Sequence, residues 1–165
     1  MYYFLLAFFI VLADQWLKLW VVANIPLYEN IDFIPHIMDL TYIQNTGAAF
    51  SMFSNMTPVL TGISLVMSLV LCYLMVKDFF PHVLGRLSLA MILGGAVGNL
   101  IDRGFRGFVV DMFRVLFVDF AIFNIADSFV VVGGILAGIY YLFVMPPEEK
   151  AESETSTVSS QEEES

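Results

Sequence analysis

Residues 98–113, GNLIDRGFRGFVVDMF, follow an apolar run long enough to cross a membrane, yet they hold Asp102 and Asp111 with Arg103 and Arg106 between them. A third aspartate, Asp127, stands in FNIADS at the mouth of the next apolar run. A fourth, Asp14, lies inside the first run, with Lys18 one helical turn beyond it on the same face. Ionisable groups at membrane depth are costly and point to function. What two neighbouring carboxyls do best is acid–base catalysis. Two aspartates about 3 Å apart cannot both ionise, so they share one proton. One then activates water while the other protonates an amide leaving group. Asp111 is flanked by apolar residues in FVVDMF, a setting that raises a carboxyl pKa. Asp127 follows Ala126, whose small side chain leaves room for a substrate. Spacing alone leaves Asp102 open as a member of the pair, although Arg103 beside it favours an ionised, structural carboxylate.

Other chemistries fit less well. His36 and His82 fall on opposite sides of the membrane, no HExxH is present, and Arg103 among the carboxylates argues against a cation cage. No metal and no cofactor are expected. Ser51, Ser54 and Ser128 have no histidine or lysine at a spacing that would activate them, and Ser128 reads as a helix-start hydroxyl. Cys72, the single cysteine, lies within an apolar run and reads as a packing thiol. The rival reading is a small transporter or proton relay, for which intramembrane Asp and Lys are also normal. Such a protein would spread carboxylates through both halves of the bilayer, and these collect on one side. An assembly protein would not need carboxylates at three separate places on that side.

The elements that must position these residues follow from composition. The chain has 165 residues and is 59% apolar, with the excess concentrated in runs. This reads as an α-helical integral membrane protein with four spans, at about 2–22, 58–77, 85–101 and 123–145. The first run lacks a basic leading region and a small-residue cleavage site, so it reads as a retained helix. Four spans put both termini on one side, with 23–57 and 102–122 on the other. Much of the net charge of −9 sits in residues 148–165, an acidic tail that reads as disordered beyond a membrane domain at 1–147. No basic stripe suggests nucleic acid.

Asp14, Lys18, Asp102, Asp111 and Asp127 all fall near the non-terminal side. Gly94 and Gly98 in the third run, and Gly134 and Gly138 in the fourth, form small-xxx-small pairs that would let those helices approach closely. Asn99, Asp102 and Arg103 share one helix face. The segment 23–57 is no span. Its stretch IDFIPHIMDLTYIQN reads as short strands with turns at Pro26, Pro35 and Gly47, a small β-rich segment between helices 1 and 2 suited to an extended peptide ligand. SMFSNMTP (51–58) reads as a mobile lid.

These blocks resemble the bacterial lipoprotein signal peptidases, the signal peptidase II family. DQWLK (14–18) is similar to the family's Asp-xxx-Lys; NTGAAFSMF (45–53), GGAVGNLIDR (94–103), GFVVDMF (107–113) and FNIADS (123–128) resemble its later blocks in the right order. The resemblance implies an aspartyl endopeptidase of the bacterial cytoplasmic membrane that removes the signal peptide from diacylglyceryl-modified prolipoproteins, cutting before the lipidated cysteine. It places the catalytic pair on Asp111 and Asp127. It assigns Asp14, Lys18, Asn45, Gly47, Asn99, Asp102, Arg103, Asn124 and Ala126 to the substrate-binding or supporting surroundings. It further implies cytoplasmic termini, a site near the outer leaflet, membrane lipids as neighbours and a monomer. Within that frame, Arg103 could fix carbonyls of substrate or loop, or tie Asp102 to the loop. Asn124 could donate to a dyad carboxylate, and Asn45 could hydrogen-bond an extended peptide.

Overall fold

The computed structural model describes residues 2–47 and 56–145. Each apolar run folds as a helix, because lipid offers backbone amides no other partner. The helices are α1 (Tyr2–Asn24), α2 (Thr57–Val76), α3 (Val83–Arg106) and α4 (Ile125–Ile139), the last continued by a π-helical segment, Tyr140–Val144. With that extension all four are long and apolar enough to cross a membrane. Their ends follow local chemistry. His82 accepts the N–H of Leu84 at the start of α3. At its end Gly107 turns left-handed at φ 77°, behind Arg103 and Arg106 in the last turn, where cations suit the negative end of the helix dipole. These polar residues carry α3 about one turn past the apolar run.

Helix α3 is central and packs against α1, α2 and α4. At the end remote from the sheet, Ala7, Leu71, Met75, Leu89, Ala90 and Leu93 form an apolar core. The glycines divide differently from the expected pairing. Gly94 and Gly98 face α1, where an added Cβ would lie 2.9 Å from Ile10 and 2.6 Å from Asp14 Oδ2. The α3–α4 seam is made by Gly95, against the Ala126 carbonyl, and Gly133, against Ile92 and Ser88. A Cβ added at Gly134 or Gly138 would meet nothing within 4 Å among the described residues, so these two do not make the seam. A step of one residue turns a helix by about 100°, which moves Gly134 off the face that Gly133 occupies. Large apolar side chains such as Phe8, Phe9, Leu69 and Val131 point outward, as lipid-facing surfaces require.

Between α1 and α2, β1 (Asn30–Ile34) and β2 (Met38–Asn45) form the expected hairpin, turning through Pro35 and His36. A third strand, β3 (Val109–Val115), pairs antiparallel with the other edge of β2, in the order β1-β2-β3. The sequence marks 102–122 only as the connection between the third and fourth spans. The segment 109–115 is a strand because β2 offers it an edge and because Val110 and Met112 are fully buried. Val21 and Ile25 of α1 pack with Leu40, Tyr42, Val110 and Met112, fixing the sheet to the end of the bundle. Most of the expected lid, residues 51–55, and the tail 148–165 lie outside the described residues.

Candidate active site

Strand β3 and the start of α4 each bring one aspartate to the same cleft. Asp111 lies mid-strand, opposite Ile43. Asn45 is two residues along β2 from Ile43, hence diagonal to Asp111, and its Nδ2 donates to Asp111 Oδ2 at 2.9 Å. Asp127 is the third residue of α4 and completes a capping box. Its N–H donates to Asn124 Oδ1 at 2.9 Å, and its Oδ2 accepts the Asn124 N–H at 3.2 Å. Asn124 Nδ2 donates to Asp111 Oδ1 at 2.7 Å, so one asparagine holds both aspartates. Asn99 Nδ2 donates to Asp127 Oδ1 at 2.7 Å. Burial pushes the Asp111 carboxyl up to about 7, and the nearby charge of Asp127 adds to this. The amide donors of Asn45 and Asn124 and the charge of Lys18 pull the other way.

Behind this pair lies a buried ion cluster. Lys18 Nζ is 2.9 Å from Asp14 Oδ2 and 3.1 Å from Asp102 Oδ2, and all three side chains are 0% exposed. The same ammonium donates to Asn99 Oδ1 at 2.9 Å. Asp102 also pairs with Arg106 at 3.0 Å and accepts the N–H of Val110 at 3.0 Å. Asp14 Oδ1 accepts the N–H of Ala126 at 3.0 Å. Gln15 Nε2 reaches Asp14 Oδ2, the Gly98 carbonyl and Asp102 Oδ1 at 3.1, 3.0 and 3.2 Å. Arg103 turns toward the cleft. Its Nη2 donates to the Gly47 carbonyl at 3.2 Å, and its charge acts on Asp127, Asp111 and Asp102. Among the described residues its buried Nε has no hydrogen-bond partner.

The cleft encloses about 530 Å³ and has two characters. Asn45, Asn99, Arg103, Asp111 and Asp127 form its polar head. Phe120, Ile122, Phe123 and Val130–Val132 form an apolar wall, and the outward exposure of Val131 and Val132 opens that wall onto the lipid-facing flank of α4. Two carboxyls at such a head can divide the roles of base and acid, and the wall suits an alkyl chain.

The expected residues thus gather in one place. Asp111, Asp127, Asn45, Asn99 and Arg103 line the cleft, whereas Asp14, Lys18, Asp102 and Ala126 stand behind it. Asn124 links the dyad from below, and Gly47 meets Arg103. Of the two roles open to Arg103, the structure shows the bond to a loop carbonyl, that of Gly47, while Lys18 and Arg106 pair with Asp102. Asn45 holds Asp111. Ser128 donates to the Asn124 carbonyl at 3.0 Å, as a helix-start hydroxyl does. Gln15 and the apolar wall went unread. The only sign of Gln15 was its place beside Asp14. Among the described residues, no group of three or more His, Cys, Asp and Glu has the arrangement of a metal site.

Comparison with known proteins gives a consistent result. The family model for signal peptidase (SPase) II matches residues 6–143. A lipoprotein signal peptidase of Enterococcus faecalis is 41% identical over 152 residues, 92% of each chain. One from Streptococcus thermophilus is 45% identical over 74% of this chain and 80% of its own. A solved bacterial membrane enzyme superposes with a TM-score of 0.80 at 32% identity, covering 85% of this chain and 87% of that one.

Proposed function

The chain belongs to the signal peptidase II family, and from that premise we propose that it is a membrane aspartyl endopeptidase acting on diacylglyceryl-modified prolipoproteins through Asp111 and Asp127. As a multi-pass membrane peptidase of this family, it has prolipoprotein signal peptides as its substrate. The aspartyl mechanism is carried by one observation: Asp111 and Asp127, from different elements, meet on the side chain and backbone of Asn124 at the polar head of one cleft.

The chemistry follows from a shared proton. The ionised carboxyl takes a proton from water as its oxygen attacks the scissile carbonyl carbon. The protonated carboxyl then gives its proton to the amide nitrogen as the C–N bond breaks, leaving a carboxylic acid and an amine. Burial and the nearby charge of Asp127 raise Asp111 to about 7, so the pair can carry one shared proton near neutral pH. Neutral amides orient both carboxyls without fixing either as a permanent anion. The substrate backbone lies extended beside Val109 and Asp111, along the part of the β3 edge that precedes the Phe113–Phe123 bridge, with the Arg103 fork available for its carbonyls. The acyl chains lie on the wall formed by Val130–Val132 and Phe123, where the cleft meets the bilayer. Lipid anchoring confines the scissile bond to this depth and raises its effective concentration. In this reading residues 1–147 are the catalytic domain, both termini are cytoplasmic, the site lies near the outer leaflet, and the enzyme works as a monomer among lipids without nucleic acid.

The test is a gel-shift cleavage assay of purified enzyme on a diacylglyceryl-modified prolipoprotein with chelator present, beside Asp111→Asn and Asp127→Asn. Cleavage by the wild type alone supports the mechanism. Full turnover by either folded variant would refute it.

A further inference from the structure

The catalytic pair and the buried ion cluster touch at two matching points. Asp102 accepts the N–H of Val110, the residue just before Asp111, and Asp14 accepts the N–H of Ala126, the residue just before Asp127. Between these carboxylates lies one ammonium, Lys18, 2.9 Å from the first helix's aspartate and 3.1 Å from the third's. We propose that Asp14, Lys18 and Asp102 form a spacer that sets the separation of the two dyad carboxyls, with Lys18 as the positioning residue at its centre. The proposal deepens the aspartyl reading and rests on it.

Three features carry it. The short path between the two aspartates is tied by the Phe113–Phe123 backbone bridge and by Asn124, while the loop beyond the bridge exposes Leu116, Phe117, Val118 and Phe120. A second, independent path runs through α1 and α3, from Asp14 and Asp102 to the two backbone N–H groups, and it fixes each aspartate against the helix bundle. Second, Lys18 helps set which way Asn99 faces. An ammonium only donates, so the Asn99 atom against it must be Oδ1, and Nδ2 is then turned to donate to Asp127 at 2.7 Å. Asn124 Nδ2 donates to the same oxygen at 3.2 Å, so without the ammonium Asn99 is held by this longer bond alone. Third, three fully buried charges are an expensive way to fill space, since apolar residues of similar volume are often as stable. Geometry explains their presence better than stability does. Gln15 braces the spacer from outside, donating toward both carboxylates without lining the cleft.

A Lys18→Met, Asp14→Asn, Asp102→Asn triple variant tests this, because it removes the three fully buried charges yet leaves oxygen acceptors for Val110, Ala126 and Arg106. Full-length protein is assayed in detergent beside Asp111→Asn. Expected are a melting transition near the wild type, KM within about threefold, and kcat lower by about 100-fold, as for a misplaced catalytic group. The bell-shaped pH profile should also narrow, since carboxyls held less closely couple less and their two apparent pKa values draw together. If the triple variant does not fold, Gln15→Met decides, with kcat lower by about tenfold, KM unchanged and the same narrowing. Wild-type kcat and pH limbs in the deciding variant overturn the spacer. An active Asp111→Asn control overturns the aspartyl reading instead.

Discussion

The protein holds two neighbouring pairs of aspartates, one fully buried and one lining a cleft, and treats them in opposite ways. Asp14 and Asp102 are compensated by charge, with Lys18 between them and Arg106 on the second. Asp111 and Asp127 are hydrogen-bonded by Asn45, Asn99 and Asn124, whose amides carry no charge. Both arrangements satisfy the rule that buried polar groups need partners. A carboxylate locked to an ammonium is a strut. A carboxyl held by amides can change its proton and keep its place, as a general acid or base must. The same residue type therefore serves as scaffold or as reagent, depending on what faces it.

The sharpest break of this contrast is at the reagent pair. Asp111→Asn and Asp127→Asn should each lower kcat by at least about 10³-fold, measured by cleavage of lipidated prolipoprotein, while the protein stays folded. Crowding the strut pair, unlike neutralising it, should show in stability. Gly98→Ala would set a Cβ 2.6 Å from Asp14 Oδ2 and is expected to cost about 1–3 kcal/mol, read by chemical or thermal unfolding in detergent. Proton exchange at the reagent pair should be visible in pH dependence. Turnover falls as pH rises through about 7, where Asp111 loses its proton. Asn45→Leu removes a donor that lowers that carboxyl, so the alkaline limb moves up. For folding the sign is the same. The stability from protonated Asp111 is complete below its ordinary value of 3.8 and is lost as pH rises through about 7. At pH 8, Asp111→Asn should melt above the wild type, and at pH 4 the gap should close. The smallest effect is a control on the seam: Gly134→Ala faces open space and should change stability by less than about 0.5 kcal/mol.

What could be read beforehand had local causes. Spans are legible because lipid demands apolar length, and DQWLK because a turn of helix places Asp14 against Lys18. Asn124 and Asp127 were legible as residue types at a helix start. Strand β3 was not, since its partner β2 lies over sixty residues away and its first four residues are buried, without alternation. The choice of Gly133 over Gly134 depends on helix rotation, which a glycine count does not give. Arg103 and Arg106 both stood near Asp102 in sequence, and only the turn of α3 sends one to the carboxylate and the other to the cleft. Gln15 escaped notice because an amide carries no charge to stand out among apolar neighbours.

The bond from Ala126 on the fourth helix to Asp14 on the first spans 112 residues. A chain enters the membrane helix by helix, so this bond also keeps time. A nascent protein with three helices inserted carries Asp14, Lys18, Asp102 and Asp111 but lacks Asp127 and its cap. On the proposed mechanism, hydrolytic competence arrives only with the final helix, and an unfinished copy is inert among the peptides around it. A membrane-inserted fragment ending before Asn124 should show no cleavage, and co-expression of the missing helix should restore it.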